Sequence, residues 1–123
     1  MNKYFHVPYP PSVNSMYFNL PPKNGKQRGR AKSKAYTAWL GDAGYILNQQ
    51  YIAPRKGRVR ITYMVNRPDK VIRDLSNLVK PLEDLLVRHG LIEDDSLVDE
   101  FTMRWDGHGE LVFINIESVG HET

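Results

Sequence analysis

The 123-residue chain contains no cysteine and no long apolar segment. The absence of cysteine excludes disulfide bonds, thiolate zinc sites and thiol nucleophiles. No apolar run approaches the roughly 18 residues of a membrane-spanning helix, and residues 1–20 lack the features of a secretory signal. A glycine-rich phosphate loop that opens a helix and a G-x-S-x-G nucleophile elbow are also missing. We therefore expect a cytoplasmic protein with no membrane contact and no nucleotide cofactor.

Acidic residues are scarce in the first half of the chain. Residues 1–68 hold 12 Lys and Arg against one acid, Asp42, whereas residues 69–123 hold 5 Lys and Arg against 13 acids. The net charge of +3 therefore combines a half at +11 with a half at −8. A basic half predicts a polyanionic partner, and an acidic half is either a solvated surface or a place where cations bind.

Hydrophobic periodicity predicts one α/β domain over residues 1–123, with the element order β-α-β-α-β-β and both helices on one face of a mixed sheet. The last two strands are joined by a tight turn at 106–109, and residues 20–33 form a basic loop. The predicted elements are a strand at 4–9, a helix from about Ser33 to Ile52, a strand at 58–66, a leucine-striped helix ending at Gly90, and strands at 97–105 and 110–117.

Three aspartates between residues 67 and 99 are candidates for a metal site. Asp74 lies at the entry of the second helix, and Asp94 and Asp95 follow its end. If the following loop and strand run back along the helix, they bring Asp95 or Asp99 towards Asp74, and carboxylates gathered in this way suit Mg²⁺. Spacing alone favours a simpler interpretation, in which Asp74 is an N-cap and residues 94–95 are a solvated turn.

Asn77, Lys80 and Asp84 share the helix face opposite the leucines. A lysine beside metal-binding carboxylates can hold a scissile phosphate or offset the charge that builds on it. The alternative, which spacing alone favours, is an ordinary Lys80–Asp84 pair on a solvated face. Zinc is not expected, because the histidines show no paired spacing. These histidines are His6, His89, His108 and His121.

Basic residues are concentrated in and after the loop at 20–33. Together they predict a surface that neutralises several phosphates of a polyanion and releases their counterions, and the alternative is a solvated basic loop. Nearby Tyr9, Tyr17 and Phe18 are candidates for stacking on exposed bases, although core packing explains them equally well. The candidate cations are Lys23, Lys26, Arg28, Arg30, Lys32 and Lys34, joined by Arg55, Lys56, Arg58 and Arg60.

Four of these features together resemble the RusA family of Holliday junction endonucleases. The resemblance covers nearly the whole chain and implies a small α/β homodimer that nicks four-way junction DNA in symmetric pairs, using Mg²⁺ with Mn²⁺ as a substitute. The features are Pro10-Pro11-Ser12 with Asn14, a basic loop before Ala35-Tyr36, the motif Arg73-Asp74-Leu75-Ser76-Asn77-Leu78-Val79-Lys80, and Asp94-Asp95 before a strand.

The resemblance also implies roles for individual residues. Asp74, Asp95 and Lys80 are the implied catalytic residues, with Asp74 and either Asp95 or Asp94 as metal ligands. The implied DNA contacts are Arg73, Asn77, Lys23, Lys26, Arg28, Arg30, Lys32 and Lys34.

Ser76 departs from the family pattern, which is Asp-Leu-Asp-Asn at this point. Serine removes one negative charge from the implied metal site. Three explanations stay open: a lineage that tolerates serine, compensation by Asp69, Asp94 or Asp99, or a protein that binds junctions but cuts slowly. The rival functions are therefore a non-catalytic binder of branched DNA and a similar nuclease that prefers RNA or flap substrates.

Overall fold

The computed structural model describes residues 3–120, which form a four-stranded sheet, a two-stranded hairpin and two α-helices. The α/β class is confirmed, and His121 lies outside the described residues. No helix within residues 3–120 is long and apolar enough to span a membrane. The elements are β1 (Phe5–Pro8), β2 (Tyr17–Asn19), β3 (Arg30–Lys32), α1 (Lys34–Asn48), β4 (Val59–Arg67), α2 (Val79–Arg88), β5 (Val98–His108) and β6 (Leu111–Ser118), with 3₁₀ turns at Val13–Ser15, Leu75–Leu78 and Asp95–Leu97.

The main sheet has the strand order β1-β6-β4-β5, and β4 pairs parallel with β5 but antiparallel with β6. Along β4, the side chains of Val59, Ile61, Tyr63 and Val65 are completely buried, and the residues between them are exposed or half-buried. Because strand side chains alternate between faces, the core lies on one face of the sheet. The buried stripes of α1 and α2 belong to the same core cluster, as predicted for helices that cover one face.

A tight turn joins β5 to β6, yet the two strands are not neighbours, because β4 lies between them. The Asn66 side chain at the end of β4 binds both: Nδ2 donates to the Asp106 carbonyl (2.9 Å), and Oδ1 accepts from the Leu111 N–H (3.2 Å). Gly109 has a φ of +145°, and a Cβ there would lie 2.6 Å from the Asn66 Oδ1. The connection therefore depends on glycine at this position.

α1 begins after Ser33, which is its N-cap as predicted. The Ser33 Oγ accepts from the Tyr36 N–H (3.1 Å) and donates to the Ser15 carbonyl (2.6 Å). The helix ends at Asn48, short of the predicted Ile52, and Gln50 beyond its end binds both the last turn of α1 and β1. Its side chain exchanges two hydrogen bonds with the His6 backbone in β1, at 3.0 and 2.8 Å. This long-range contact ties the end of α1 to β1.

The second predicted helix is divided into the 3₁₀ turn Leu75–Leu78 and α2. Pro81 has no N–H to donate to the Asn77 carbonyl, so regular α-helical bonding does not extend back through Asn77. The end of the helix agrees with the prediction, since Gly90 follows it with a left-handed φ of +69°. The separate 3₁₀ turn packs beside β5 and carries the residues that follow Asp74.

The predicted basic loop is more ordered than expected. β3 lies within it and pairs antiparallel with β2, which directly precedes it. The hydrogen bonding continues outward between Leu20 and Gly29 (2.8 Å) and between Lys23 and Lys26 (3.0 Å each way). Asn24 and Gly25 close the tip with φ values of +54° and +75°. Asn-Gly is a strong signal for a two-residue hairpin turn, so the sequence contained the information that this loop is a hairpin. We call residues 17–32 the basic arm.

Candidate functional site

Asp74 lies at the start of the 3₁₀ turn with an exposed carboxylate. Its backbone is extended (φ −81°, ψ 111°), and its carbonyl accepts from the Asn77 N–H at 3.2 Å. The side chain does not cap the turn, and within residues 3–120 it has no hydrogen-bond or ion-pair partner. Asp74 therefore occupies the N-cap position without performing the capping role, and its carboxylate oxygens are free to bind another group.

A cleft of about 440 Å³ lies beside Asp74. It brings together three segments that are distant in the sequence: the proline-rich loop after β1, the start of α1 and the motif around Asp74. Its volume is in the range of sites that hold small molecules or single nucleotide units. The lining residues are Tyr9, Pro10, Pro11, Ser12, Ser15, Ala35, Arg73, Asp74, Asn77 and Leu78.

Arg73 places a fixed cation at this cleft. Its guanidinium makes two hydrogen bonds to Asp69, from Nε to Oδ1 (3.2 Å) and from an Nη to Oδ2 (2.6 Å). Asp69 also accepts a hydrogen bond from the Val71 N–H (3.0 Å). The bonds from Arg73, which have the largest effect, and the bond from Val71 lower the pKa of the Asp69 carboxyl. Burial raises the pKa of Tyr9, and Arg73 opposes that effect, so Tyr9 is a neutral phenol beside a cation.

The two acids that follow α2 have different environments. The Asp94 carboxylate caps the 3₁₀ turn Asp95–Leu97, where it accepts from both the N–H and the hydroxyl of Ser96. These bonds from Ser96 lower the pKa of Asp94. The Asp95 carboxylate instead lies close enough to Lys80 and Glu83 on α2 to influence the pKa of both. Asp94 thus stabilises the turn, and Asp95 faces the helix that carries Lys80.

Lys80 forms the ion pair with Asp84 that its spacing predicted, with Nζ 3.1 Å from Oδ1. Asp84 is the main reason that the pKa of Lys80 is raised, and Asp95 adds to the effect. Glu83 belongs to the same group, although sequence reasoning missed it. Its carboxyl is half-buried, and its pKa is raised by burial first and by Asp95 next. Its position three residues after Lys80 was the available signal.

The carboxylates do not form a preformed metal cage. Within residues 3–120, no three acidic or histidine side chains come together in a group that holds a metal on its own. Mg²⁺ needs only one or two protein carboxylates when water and phosphate oxygens complete its shell. Asp74 and Asp95 are exposed hard-oxygen donors of the required kind. Carboxylate donors of this kind suit Mg²⁺ or Mn²⁺ that also binds a phosphate group.

The acids considered as compensation for Ser76 are all engaged elsewhere. Asp69 binds Arg73, Asp94 binds Ser96, and Asp99 pairs with Arg58 at 2.8 Å. Ser76 itself is exposed in a shallow groove between the 3₁₀ turn and β5. None of the three acids is therefore a free carboxylate that replaces the missing one.

The six cations from Lys23 to Lys34 lie on the basic arm or directly after it, and all of them are exposed. The base of the arm is attached beside the cleft, because the Ser33 N–H donates to the Met16 carbonyl (2.8 Å) and Ser33 Oγ donates to Ser15. Arg28 binds the Pro21 carbonyl (2.7 Å), and Arg30 lies 4.8 Å from the centre of the Tyr17 ring. The arm thus extends a cationic surface from the rim of the cleft.

Two of the four cations in the second predicted group are paired with acids of the same chain. Arg58 pairs with Asp99 (2.8 Å) and Arg60 pairs with Glu100 (2.9 Å), because the parallel register of β4 and β5 brings these residues together. Arg55 donates to the Ile116 carbonyl (3.4 Å), and Lys56 is exposed. The basic arm is therefore the stronger candidate for phosphate contacts.

The three aromatic candidates also differ in exposure. Tyr9 is half-buried in the cleft, and Tyr17 packs edge-on against Tyr36, with ring centres 5.7 Å apart. Phe18 is 49% exposed on β2. Phe18 is therefore the aromatic ring that the basic arm presents to solvent.

Comparisons with known proteins agree with the motif analysis. A family model described as Endodeoxyribonuclease RusA matches residues 8–117. The crossover junction endodeoxyribonuclease rusA of Enterobacteria phage HK97 is 35% identical over 107 residues, which are 81% of this chain and 80% of that protein. The range matched by the family model includes the basic arm, the cleft, the motif at 73–80 and both Asp94 and Asp95.

Proposed function

The chain belongs to the RusA family of endodeoxyribonucleases, and from this premise we propose that it resolves four-way DNA junctions in a Mg²⁺-dependent reaction during recombination and repair. The relative from phage HK97 is named as a crossover junction endodeoxyribonuclease. The observation that carries the proposal is the exposed Asp74 carboxylate, which has no partner among residues 3–120 and lies at a cleft that Arg73 and Asn77 also line. The Asp74 carboxylate can bind a metal cation, and the neighbouring Arg73 guanidinium can bind a phosphate oxygen. Together they suit a phosphodiester substrate.

Asp74 and Asp95 would hold the ion, with Asp94 as the alternative to Asp95. When bound, Mg²⁺ supplies polarisation of the scissile phosphate and an activated water molecule. Lys80 offsets the negative charge that develops on the phosphate, and Asp84 keeps Lys80 oriented and protonated. Arg73, held by Asp69, and Asn77 bind the DNA backbone next to the cut.

The basic arm grips the DNA further from the site of cleavage. Its exposed cations neutralise backbone phosphates and read no base sequence, so the shape of the junction provides most of the selectivity. We also propose that the protein acts as a homodimer. A four-way junction has approximate two-fold symmetry, and a dimer with the same symmetry presents equivalent sites to two strands, so that the two nicks are paired.

A non-catalytic binder of branched DNA is the second candidate function. The observation that favours it is Ser76, since Asp69, Asp94 and Asp99 are engaged in other interactions. A binder of this kind keeps the basic arm and the cleft and lacks only the charge needed for tight Mg²⁺ binding.

The experiment is cleavage of a synthetic mobile junction by purified protein, with and without Mg²⁺, beside linear duplex, flap and RNA substrates. We expect symmetric paired nicks in the junction only when Mg²⁺ is present, and loss of those nicks in Asp74→Asn. Junction binding with no nicks at excess enzyme and at any neutral to alkaline pH would establish the binder instead. Preferential cutting of flaps or RNA would contradict the proposed substrate.

A further inference from the structure

Two adjacent apolar side chains are exposed just before Asp74. Val71 is 60% exposed and Ile72 is 96% exposed, and no other valine, leucine or isoleucine among residues 3–120 is as exposed as Ile72. Both lie between β4 and the 3₁₀ turn Leu75–Leu78, in a segment that we call the tip loop (residues 69–73). Apolar side chains bind favourably to any partner that removes them from water. Val71 and Ile72 are therefore a candidate contact surface beside the cleft, which they do not line.

The tip loop is held in shape by Asp69. Its Oδ1 accepts hydrogen bonds from the Val71 N–H (3.0 Å) and from Arg73 Nε (3.2 Å), and its Oδ2 accepts one from an Nη of Arg73 (2.6 Å). The backbone of Val71 and the side chain of Arg73 are thus tied to one carboxylate, and Ile72 lies between them in the sequence. A side chain on a restrained loop loses less conformational freedom on binding. Asp69 therefore prepares Val71 and Ile72 for contact with a partner.

Ile72 lies within reach of the bases next to the proposed site of cleavage. It precedes Asp74 by two residues, so the two Cα atoms are at most about 7 Å apart. The base pairs of a duplex are spaced about 3.4 Å apart along a strand. A phosphate bound at Asp74 therefore brings its neighbouring base steps to within about two such spacings of Ile72.

The charges around Val71 and Ile72 favour DNA over another protein as the partner. Lys70 precedes them and Arg73 follows them, and Lys70 is exposed with no ion-pair partner among the described residues. Lysine is depleted in protein–protein interfaces, because burying its charge in an apolar centre is costly. DNA instead has phosphates beside every base step, so it offers counter-charges to Lys70 and Arg73 and apolar base faces to the residues between them.

Isoleucine is one of the apolar residues that proteins insert as wedges between bases. Such a wedge partly unstacks a base step, and unstacking costs free energy in a continuous duplex. At the branch point of a four-way junction the stacking is already interrupted, so an inserted side chain is buried without that full cost. A wedge is therefore more favourable at a branch point than within a duplex.

We propose that Ile72, supported by Val71, inserts between the bases at the branch point next to the scissile phosphate, and that this contact gives the protein its preference for junctions over duplex DNA. The inference rests on the proposed function and adds to it a residue that selects the substrate by its shape. The basic arm contributes affinity for any DNA backbone, whereas the wedge acts where the stacking of the bases is interrupted.

Fluorescence of 2-aminopurine tests the insertion directly, because this adenine analogue is quenched by stacking and becomes brighter when it is unstacked. The probe is an immobile four-way junction with 2-aminopurine beside the branch point, mixed with full-length protein in EDTA so that no strand is cut. We expect wild type to raise the emission by about twofold or more at saturating protein. Ile72→Gln, which substitutes a polar side chain of similar size, should abolish the rise, and Ile72→Leu should retain it.

Equilibrium binding provides a second measurement. Ile72→Gln should weaken junction binding by about tenfold or more, as expected for the loss of one buried aliphatic side chain, and should change duplex binding by less than about twofold. Because Ile72 is 96% exposed, its replacement leaves the core intact. Tyr51→Gln is the matched control, since Tyr51 is fully exposed and does not line the cleft, and it should leave both affinities unchanged.

Three outcomes would overturn the proposal. The first is an emission rise that is absent in wild type or persists in Ile72→Gln, and the second is an equal loss of junction and duplex affinity in that variant. The third is weaker self-association of Ile72→Gln without DNA, measured by sedimentation, since Ile72 would then belong to a protein interface. These measurements use no Mg²⁺ and no cleavage. A protein that unstacks the branch point but does not cut would therefore contradict the proposed nuclease function and still support the wedge.

Discussion

The Lys80 ammonium lies 3.1 Å from the Asp84 carboxylate, one turn further along α2, with Asp95 close enough to act on the same charge. The pair gives Lys80 two properties that a cation at a phosphoryl-transfer site needs. Its position is restrained, and its pKa is raised, chiefly by the hydrogen bond to Asp84. Both properties lead to measurable consequences.

Removal of Asp84 should change the pH dependence of cleavage. Asp84→Asn removes the main group that raises the pKa of Lys80, so Lys80 loses its proton at a lower pH and the alkaline limit of activity moves down. Lys80→Ala should lower the cleavage rate by about 10²–10³ with little effect on junction binding. Single-turnover rates measured from neutral to strongly alkaline pH test both expectations. Asp42→Asn, the same charge change on α1, is the control, and an equal shift in that variant would contradict the role of Asp84.

The carboxylates should separate into ligands and structural groups. Asp74→Asn and Asp95→Asn should each reduce cleavage by about 100-fold or more, because each removes a charged donor to Mg²⁺. Asp94→Asn should have a smaller effect, since the Asp94 carboxylate is already bound to Ser96. Asp69→Asn should weaken DNA binding rather than the chemical step, because it releases Arg73. Two measurements distinguish the metal ligands from the other carboxylates: the cleavage rate at saturating protein, and the affinity for junction DNA in the absence of metal.

The basic arm should account for much of the salt dependence of DNA binding. Removing one cation that binds a phosphate makes the slope of log K against log salt shallower by about 1. We therefore expect Lys26→Ala and Lys32→Ala each to reduce the steepness of the slope, because both side chains are exposed on the arm. Arg58→Ala is the matched control, since Arg58 is already paired with Asp99. If Arg58→Ala changes the slope more than the arm variants do, DNA binds on the β4–β5 side of the molecule instead.

Two glycine substitutions should act in opposite directions on stability. Gly109→Ala should lower the free energy of unfolding by about 1–3 kcal/mol, because φ is +145° and the added Cβ meets Asn66 at 2.6 Å. Gly41→Ala should raise it by about 0.5–1 kcal/mol, because Gly41 lies within α1 and an added Cβ has no neighbour within 4 Å. Denaturant unfolding of both variants measures the contrast. If Gly109→Ala leaves the stability unchanged, the connection between β5 and β6 beside Asn66 can move to accommodate the added Cβ.

Local features of the fold were predictable because they depend on neighbouring residues. The alternation along β4, the Ser33 cap and the glycine that follows α2 each arise within a few positions of the chain. The motif at 73–77 was predictable for the same reason, since Arg73, Asp74 and Asn77 need only a single turn to reach one cleft.

Features that depend on strand order were not predictable. The sequence pattern cannot show that β4 separates β5 from β6, and so it could not identify Asn66 as the residue that joins their ends. The same parallel pairing brings Asp99 and Glu100 to Arg58 and Arg60, two ion pairs that the sequence pattern did not reveal. Glu83 was missed because its importance comes from Asp95, which lies on a different element.

Ser76 leads to the sharpest prediction about the chemistry. The site as proposed has fewer carboxylates than the family pattern, and Mg²⁺ affinity depends on the number of charged ligands. Ser76→Asp should therefore lower the Mg²⁺ concentration needed for half-maximal junction cleavage, by about tenfold if one favourable charge is worth about 1.4 kcal/mol. Ser76→Asn, which has nearly the same shape and no charge, is the matched control and should not lower it. If Ser76→Asp leaves the Mg²⁺ dependence unchanged while wild type cleaves efficiently, the serine is fully tolerated and other ligands complete the ion's coordination.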